Sequence, residues 1–288
     1  MNVSISTDDD RELTSCDQIK VTFDNEAGVR TEEQLSTAGL RSLKVAASHN
    51  GGVRVTGSNG AGYSVRACKA AALDATLRDV RVSLRGNEVS VDGPEGDQWV
   101  VYFLVQAPRG ATLDLSAHNG EVSVTDLVDA TVTARTENGP LSIRRSTGTI
   151  DANASNGPIG LTGGGGTVKL RAENGPISVK LDGTTWNGSL DASTQNGPVS
   201  LKVPSNYRSG VVVESAGHSP VSCHVAGCRE SFRDASKSRS VSSSSDADDD
   251  DDDDDDDYGQ QPRRLELGTG PTVVHISTVN GPVSVKER

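Results

Sequence analysis

Asn138-Gly139-Pro140-Leu141-Ser142-Ile143 decides the fold, because the chain keeps returning to it. The hexad recurs as Asn156-Gly157-Pro158-Ile159-Gly160-Leu161, Asn174-Gly175-Pro176-Ile177-Ser178-Val179, Asn196-Gly197-Pro198-Val199-Ser200-Leu201 and Asn280-Gly281-Pro282-Val283-Ser284-Val285. Looser copies stand at Asn50-Gly51, at Asn119-Gly120-Glu121-Val122-Ser123-Val124 and at His218-Ser219-Pro220-Val221-Ser222-Cys223. From Asn119 onward the steps are 19, 18, 18, 22 and 22 residues. Self-similarity at a near-constant period marks a stacked repeat, in which each unit buries its apolar face only against its neighbours.

A second alternating run precedes each Asn, with inward positions two, four and six residues before it. Leu113, Leu115 and Ala117 fill them first, then Val132, Ala134 and Thr136, Ile150, Ala152 and Ala154, Val168, Leu170 and Ala172, Leu190, Ala192 and Thr194, and Val274, Ile276 and Thr278. Period two over five to seven residues means a strand with one buried face. Asn and Gly tolerate positive φ and so allow a sharp reversal. Pro, with fixed φ and no N–H, suits the first residue of the next strand. A hairpin meander or sandwich also uses Asn-Gly turns, but its hairpins need not recur at a constant step. The expected fold is therefore all-β, a β-solenoid of short strands with about 18–22 residues per coil.

Neighbouring strands lie about 4.8 Å apart. Stacking thus predicts an amide ladder through Asn119, Asn138, Asn156, Asn174, Asn196 and Asn280. The residue before each Asn forms an exposed column of His49, His118, Glu137, Ser155, Glu173, Gln195, Gly217 and Val279, in which His118 and Glu137 are adjacent.

The chain divides into a polar tail over 1–18, an irregular β opening section of the same domain over 19–110, and regular repeats over 111–229. A Ser/Asp-rich insertion follows over 230–262, then a final coil over 263–288. Trp99, Tyr102 and Phe103, in the most apolar run of the chain, are expected to cap the open end of the stack. Asp246 and Asp248 to Asp257 contribute eleven of the negative charges behind the net −12, so the rest is nearly neutral. Ten consecutive like charges repel and bury nothing, so the insertion is expected to be disordered, a spacer or solubility element. Its Asp/Ser content invites a calcium reading, but the Gly-centred loop that fixes calcium geometry is missing.

Since the rest of the chain is nearly neutral, nothing in the composition argues for nucleic acid, which requires a basic face to replace counterions, and no nucleic-acid partner is expected. No apolar stretch approaches the roughly 18 residues that span a bilayer, so no membrane insertion is expected. Cys16, Cys68, Cys223 and Cys228 show no CxxC spacing of a zinc site. Three disulfide connectivities exist; Cys16 with Cys68 and Cys223 with Cys228 join neighbouring segments and are favoured, with buried free thiols the alternative. The polar start Asn2 to Arg11 is no signal peptide, so export requires a leader outside this chain.

Nothing in the sequence marks a catalytic centre, a cofactor site or a metal site. The histidines His49, His118, His218, His224 and His275 are scattered, and no Gly-x-Ser-x-Gly elbow, Walker loop or His-Glu-x-x-His is present. Gly163 to Gly166 precedes a strand, whereas phosphate loops open onto a helix. The carboxylate pairs Glu137 with Glu173 and Asp151 with Asp191 stand two coils apart, wide enough for an inverting glycosidase, yet without an aromatic platform. Outward Thr131, Thr133, Arg135, Thr149, Lys169, Arg171, Asp191 and Ser193 make a mixed polar face suited to weak, multivalent contacts.

The Asn-Gly-Pro strands and the segment Trp99 to Leu127 resemble the bacterial adhesin-like toast-rack domain family over roughly residues 40–229 and 263–288. The resemblance implies a right-handed β-solenoid at the bacterial envelope, secreted, periplasmic or on the cell surface. The function expected is non-catalytic binding or scaffolding through the sheet faces, toward an envelope protein or polymer. A self-assembling, filament-forming solenoid joined through its terminal coils is the alternative, and a polysaccharide-active enzyme a remote one.

Overall fold

The computed structural model describes residues 2–7, 13–216, 219–232 and 263–288. The described chain is all-β, with one short α-helix, Asp74–Asp79, and one 3-10 turn, Cys16–Gln18. Across 112–203 it alternates between two parallel sheets. Thr112–Asn119, Ala130–Asn138, Gly148–Asn156, Gly165–Asn174 and Asn187–Asn196 form the long-strand sheet. Each turns a corner into Val122–Thr125, Leu141–Arg144, Ile159–Gly163, Ile177–Leu181 or Val199–Val203 of the short-strand sheet.

Register is maintained from coil to coil. Leu113, Val132, Ile150, Val168, Leu190 and Val274 are successive partners in one sheet, and Val122, Leu141, Ile159, Ile177, Val199 and Val283 in the other. These residues are 0–2% exposed and form one aliphatic seam between the sheets. A thin interior of Val, Ile, Leu and Ala is what a chain with 3% aromatics can fill. Inward Thr136, Thr194 and Thr278 satisfy their buried hydroxyls by donating to the carbonyls of Gly120, Gly175 and Gly197 at 2.9–3.2 Å.

At the corners the asparagine amides run as one ladder from Asn50 through Asn119, Asn138, Asn156, Asn174 and Asn196 to Asn280. Each Nδ2 donates to the Oδ1 of the coil before it at 2.9–3.2 Å. The glycine beside it has a different role from the one the turn chemistry suggested. Gly120, Gly139, Gly157, Gly175, Gly197 and Gly281 do not take positive φ. A Cβ at each would instead overlap the carbonyl oxygen of the glycine one coil back, so the corner is glycine because backbones stack directly upon each other. Proline supplies an acceptor: the carbonyls of Pro140, Pro158, Pro176, Pro198, Pro282 and Pro220 receive the N–H of the adjacent coil at 2.9–3.0 Å.

Spatial order departs from chain order at both ends. The last strands, Thr272–Asn280 and Val283–Glu287, are not an outer coil as expected for 263–288. They sit between Asn187–Asn196 with Val199–Val203 on one side and Gly210–Ser215 with Val221–His224 on the other. Equal hexads give no order of stacking, so reading them in sequence misplaced this coil. At the other end Leu43–Gly57 bends through both sheets against Thr112–Asn119 and Val122–Thr125. Outside it lie the later strands Glu88–Asp92 and Trp99–Ala107. Both chain ends of the stack are thus tucked one coil inward.

Antiparallel strands finish the stack: Val29–Leu35, Ser64–Ala71 and Arg81–Arg85 at one end, Arg263–Leu267 and Arg229–Phe232 at the other. The cap expected from Trp99, Tyr102 and Phe103 is therefore corrected. Trp99 and Phe103 lie within the main core, while Tyr102 faces outward with Val100 and Leu104. Those three are covered by a lid of Val3–Ser6, Lys20–Phe23 and Glu26–Ala27, which supplies Ile19, Val21 and Phe23. Within the tail expected over 1–18, Val3–Ser6 is accordingly a strand of the lid and Leu13 part of its core. The disulfide Cys16–Cys68 ties the lid to the stack, and Cys223–Cys228 closes the loop after Val221–His224. The insertion expected over 230–262 begins later, since residues 230–232 belong to a strand. Its Ser/Asp-rich part, 233–262, lies outside the described residues, as do Gly217 and His218.

Glu214 pins the inserted coil. Its carboxylate accepts from Arg264 Nη1 at 2.7 Å and faces His275 Nε2 at 3.3 Å. Burial alone would raise its pKa, but hydrogen bonds and charge from His275 and Arg264 together hold it below the ordinary glutamate value. A depressed folded-state pKa contributes stability that is present above the unfolded value and lost as pH falls through the folded one. Acidification below about pH 4 is expected to lower the amide-exchange protection factors of Gly210–Ser215 and Thr272–Asn280 in the native chain. A Glu214→Gln variant is expected to show none of that pH step, and an equal step in both proteins would contradict it.

Candidate functional site

Parallel stacking turns every outward position into a column along the stack. On the long-strand sheet one column reads Asp114, Thr133, Asp151, Lys169, Asp191 and His275, and the next Ser116, Arg135, Asn153, Arg171, Ser193 and Ser277. The expected face residues Thr131, Thr133, Arg135, Lys169 and Arg171 all lie here at exposed or half-buried positions. Their charges alternate in sign and join across coils: Arg135 with Asp114 at 3.1 Å, Arg171 with Asp151 at 3.3 Å, His275 with Asp191 at 3.9 Å. Each pair is exposed and contributes about 0–1 kcal/mol, but together they neutralise the face.

The short-strand sheet carries a different pair of columns. Ser123, Ser142, Gly160, Ser178, Ser200, Ser284 and Ser222 form one; Thr125, Arg144, Thr162, Lys180, Lys202, Lys286 and His224 form the other. None of these positions is acidic. A groove of about 380 Å³ runs along this face past Pro140, Pro158 and Pro176, with Leu13 of the lid on its wall. A shallower depression of about 170 Å³ opens at Gly160, between Ser142, Arg144, Ser178, Lys180 and Lys202. A Cβ at Gly160 would meet nothing within 4 Å, so the missing side chain makes a notch in the serine column.

At its lid end the groove meets a buried polar cluster. Arg54, 9% exposed, donates from Nη2 to Glu121 Oε1 at 2.8 Å, and the Tyr102 hydroxyl donates to the same oxygen. Glu121 stands at the corner position that Pro140 and Pro158 hold in later coils, so the departure from Asn-Gly-Pro was the visible signal for this cluster. The lysine column was equally visible, six residues beyond Asn174, Asn196 and Asn280, once that position is read down the repeats.

The carboxylates weighed for glycan cleavage are partly engaged elsewhere. Glu137 meets His118 Nδ1 at 2.7 Å, and Asp151 accepts from Asn153 and Arg171. Neither Glu137, Glu173, Asp151 nor Asp191 lines the groove. His49 stacks on Trp99 with ring centroids 4.4 Å apart, and the glycine-rich segment around Gly163 to Gly166 bends between strands without a helix.

Solved structures similar to the chain include two candidate adhesion proteins. A candidate cell adhesion protein of Clostridium sporogenes ATCC 15579 is 8% identical, with a TM-score of 0.29 over 91% of this chain and 100% of that one. A candidate adhesin of Bacteroides fragilis NCTC 9343 is 11% identical, with a TM-score of 0.32 over 90% and 97%. No curated protein matches the chain. The family model described as Toastrack DUF4097 matches residues 40–253, from the first stacked coil into the insertion, and the chain belongs to that family.

Proposed function

We propose that the chain is a non-catalytic, adhesin-like scaffold of the bacterial cell envelope, a right-handed β-solenoid whose flat sheet faces do the binding. The observation that carries this reading is the pair of uninterrupted outward faces, each built from in-register columns on strands hydrogen-bonded on both sides. Such a face is rigid, and it offers one weak contact per coil many times over, the arrangement by which multivalent surfaces gain avidity. The two disulfides favour an oxidising compartment, hence a secreted, periplasmic or surface location.

Filament growth through the terminal coils is disfavoured by the finishing strands. Antiparallel strands occupy both ends of the long-strand sheet and one end of the other. Among the described residues the one parallel strand left at an end, Val221–His224, has four residues and runs straight into a disulfide loop, a short and constrained edge of the kind that blunts strand addition. The test is sedimentation of the purified chain with isolated bacterial envelopes. Pelleting with the envelopes is expected, with no new reducing ends released from envelope polysaccharide. Recovery of all the protein in the supernatant, or release of reducing ends, would overturn the reading.

A further inference from the structure

We infer that the short-strand face binds a linear acidic polysaccharide, one bearing a carboxylate on each sugar ring, laid across the strands along the stack. The inference rests on the scaffold reading above and names its ligand. Lys180, Lys202 and Lys286 are partners in register on three spatially successive strands, although Lys286 comes from the inserted coil far along the sequence. Their column therefore places the backbones that carry the three cations about 4.8 Å apart.

Like charges directly opposite one another on neighbouring strands are destabilising. The long-strand sheet avoids that cost by alternating signs, as Asp114 with Arg135 and Asp151 with Arg171 show. On the short-strand sheet the three lysines have no acidic partner among the described residues, and the column continues into Arg144 on one side and His224 on the other, with Thr162 between Arg144 and Lys180. A repulsive row retained in consecutive coils, where one acidic residue would relieve it, is the charge complement of a polyanion.

The neighbouring serine column selects the kind. Each coil pairs one ammonium with one hydroxyl two residues before it: Ser178 with Lys180, Ser200 with Lys202, Ser284 with Lys286. An ammonium is a compact charge with three donors, and a serine hydroxyl both donates and accepts. A uronic acid ring presents the matching set, one carboxylate and neighbouring hydroxyls, at each step of its chain. Single-stranded nucleic acid instead relies on aromatic stacking platforms, and no Phe, Tyr or Trp stands in either column. The chain's net charge of −12 repels a polyanion at long range. Binding here is therefore a contact-range effect that weakens with salt, since the Debye length is only about 8 Å at physiological ionic strength.

The test is binding of the full chain to polygalacturonate at low salt, measured by calorimetry or on an immobilised polymer. A Lys180→Gln/Lys202→Gln/Lys286→Gln variant is expected to bind at least about tenfold more weakly, three lost contacts of a multivalent set. Its thermal melt should be unchanged or raised, because the substitutions remove repulsion. Lys20→Gln, an exposed cation on the lid strand and outside both sheet faces, should bind as the parent does. The inference falls if the triple variant binds polygalacturonate like the parent. It falls equally if uncharged dextran binds as well, or if a single-stranded oligonucleotide binds more tightly. Failure on polygalacturonate with retention on bacterial envelopes would sink the ligand and leave the scaffold; failure on both would sink the two together.

Discussion

Replacing Gly157 by Ala is expected to destabilise the protein by about 3 kcal/mol or more, at the upper end of what overpacking costs. The added methyl group would overlap the carbonyl of Gly139. That carbonyl cannot retreat, because the corner is held by the Asn138–Asn156 amide contact at 3.0 Å and by the N–H of Leu141 on Pro158 at 2.9 Å. Relief requires the two coils to part, which breaks ladder bonds in both sheets. Gly160→Ala is the matched control, three residues away on the same coil with open space at its Cβ. It should stay within about 0.5 kcal/mol of the parent. Urea midpoints of the two variants measure the difference. Equal midpoints would contradict close backbone stacking as the reason for the corner glycines.

Removing residues 269–288 is expected to have the second large effect. Were the coils stacked in chain order, the deletion would shed the outermost coil and leave a shortened stack. In this structure it removes an interior coil. Val211 and Val213 on one side and Leu190 and Ala192 on the other, all 0–1% exposed, lose the Val274 and Ile276 that lie between them. Unpaired strand edges and open apolar surface would then face each other across a missing layer. Limited proteolysis of the truncated chain should digest 204–267 while the coils over 112–203 persist. Protection of 204–224 equal to that in the full chain would contradict the inserted position. Truncation should also leave the lid and the Cys16–Cys68 tether intact, since they lie at the opposite end of the stack.

The regular coils were legible because two simple periods coincide in them. Alternation assigns Leu113, Leu115, Val132 and their successors to one buried face, and the recurrence of Asn-Gly-Pro assigns those faces to successive layers. Where the repeat is equal in every copy, however, it says nothing about which copy lies beside which. Val274 and Val211 are each as good a neighbour for Leu190 as the other, and the choice is made by the connections: the antiparallel pair Arg229–Phe232 and Arg263–Leu267 carries the chain outward before the last coil returns. The corner glycines show a second limit. Composition marks Gly as necessary, but the conformational and steric reasons for it look identical until the backbone one coil away is in place. The lid was hidden for a third reason: Ile19, Val21 and Phe23 form too short an alternation to declare a partner, and the outward apolar positions Val100, Tyr102 and Leu104 read as one buried run with their inward neighbours.

The candidate face was less legible than the fold. Attention to the long-strand positions found Arg135, Lys169 and Arg171, whose charges the structure pairs or interleaves with Asp114, Asp151 and Asp191. The uncompensated column lies on the shorter strands, where Lys180, Lys202 and Lys286 fall just beyond the hexad that defines the repeat. Only the insertion of the final coil brings Lys286 beside Lys202. The stacking order thus carries functional weight, because it decides which cations are neighbours.

Paired cysteine substitutions test that order most directly. Ser277 is in register with Ser193 on one neighbouring strand and with Glu214 on the other, and all three side chains point out of the long-strand sheet. With the inserted coil between them, Ser193 and Glu214 are two strand spacings, about 9.6 Å, apart. Under mild oxidation, Ser193→Cys with Ser277→Cys and Ser277→Cys with Glu214→Cys should each cross-link, and Ser193→Cys with Glu214→Cys should not. A cross-link between positions 193 and 214, with none from 193 to 277, would contradict the account.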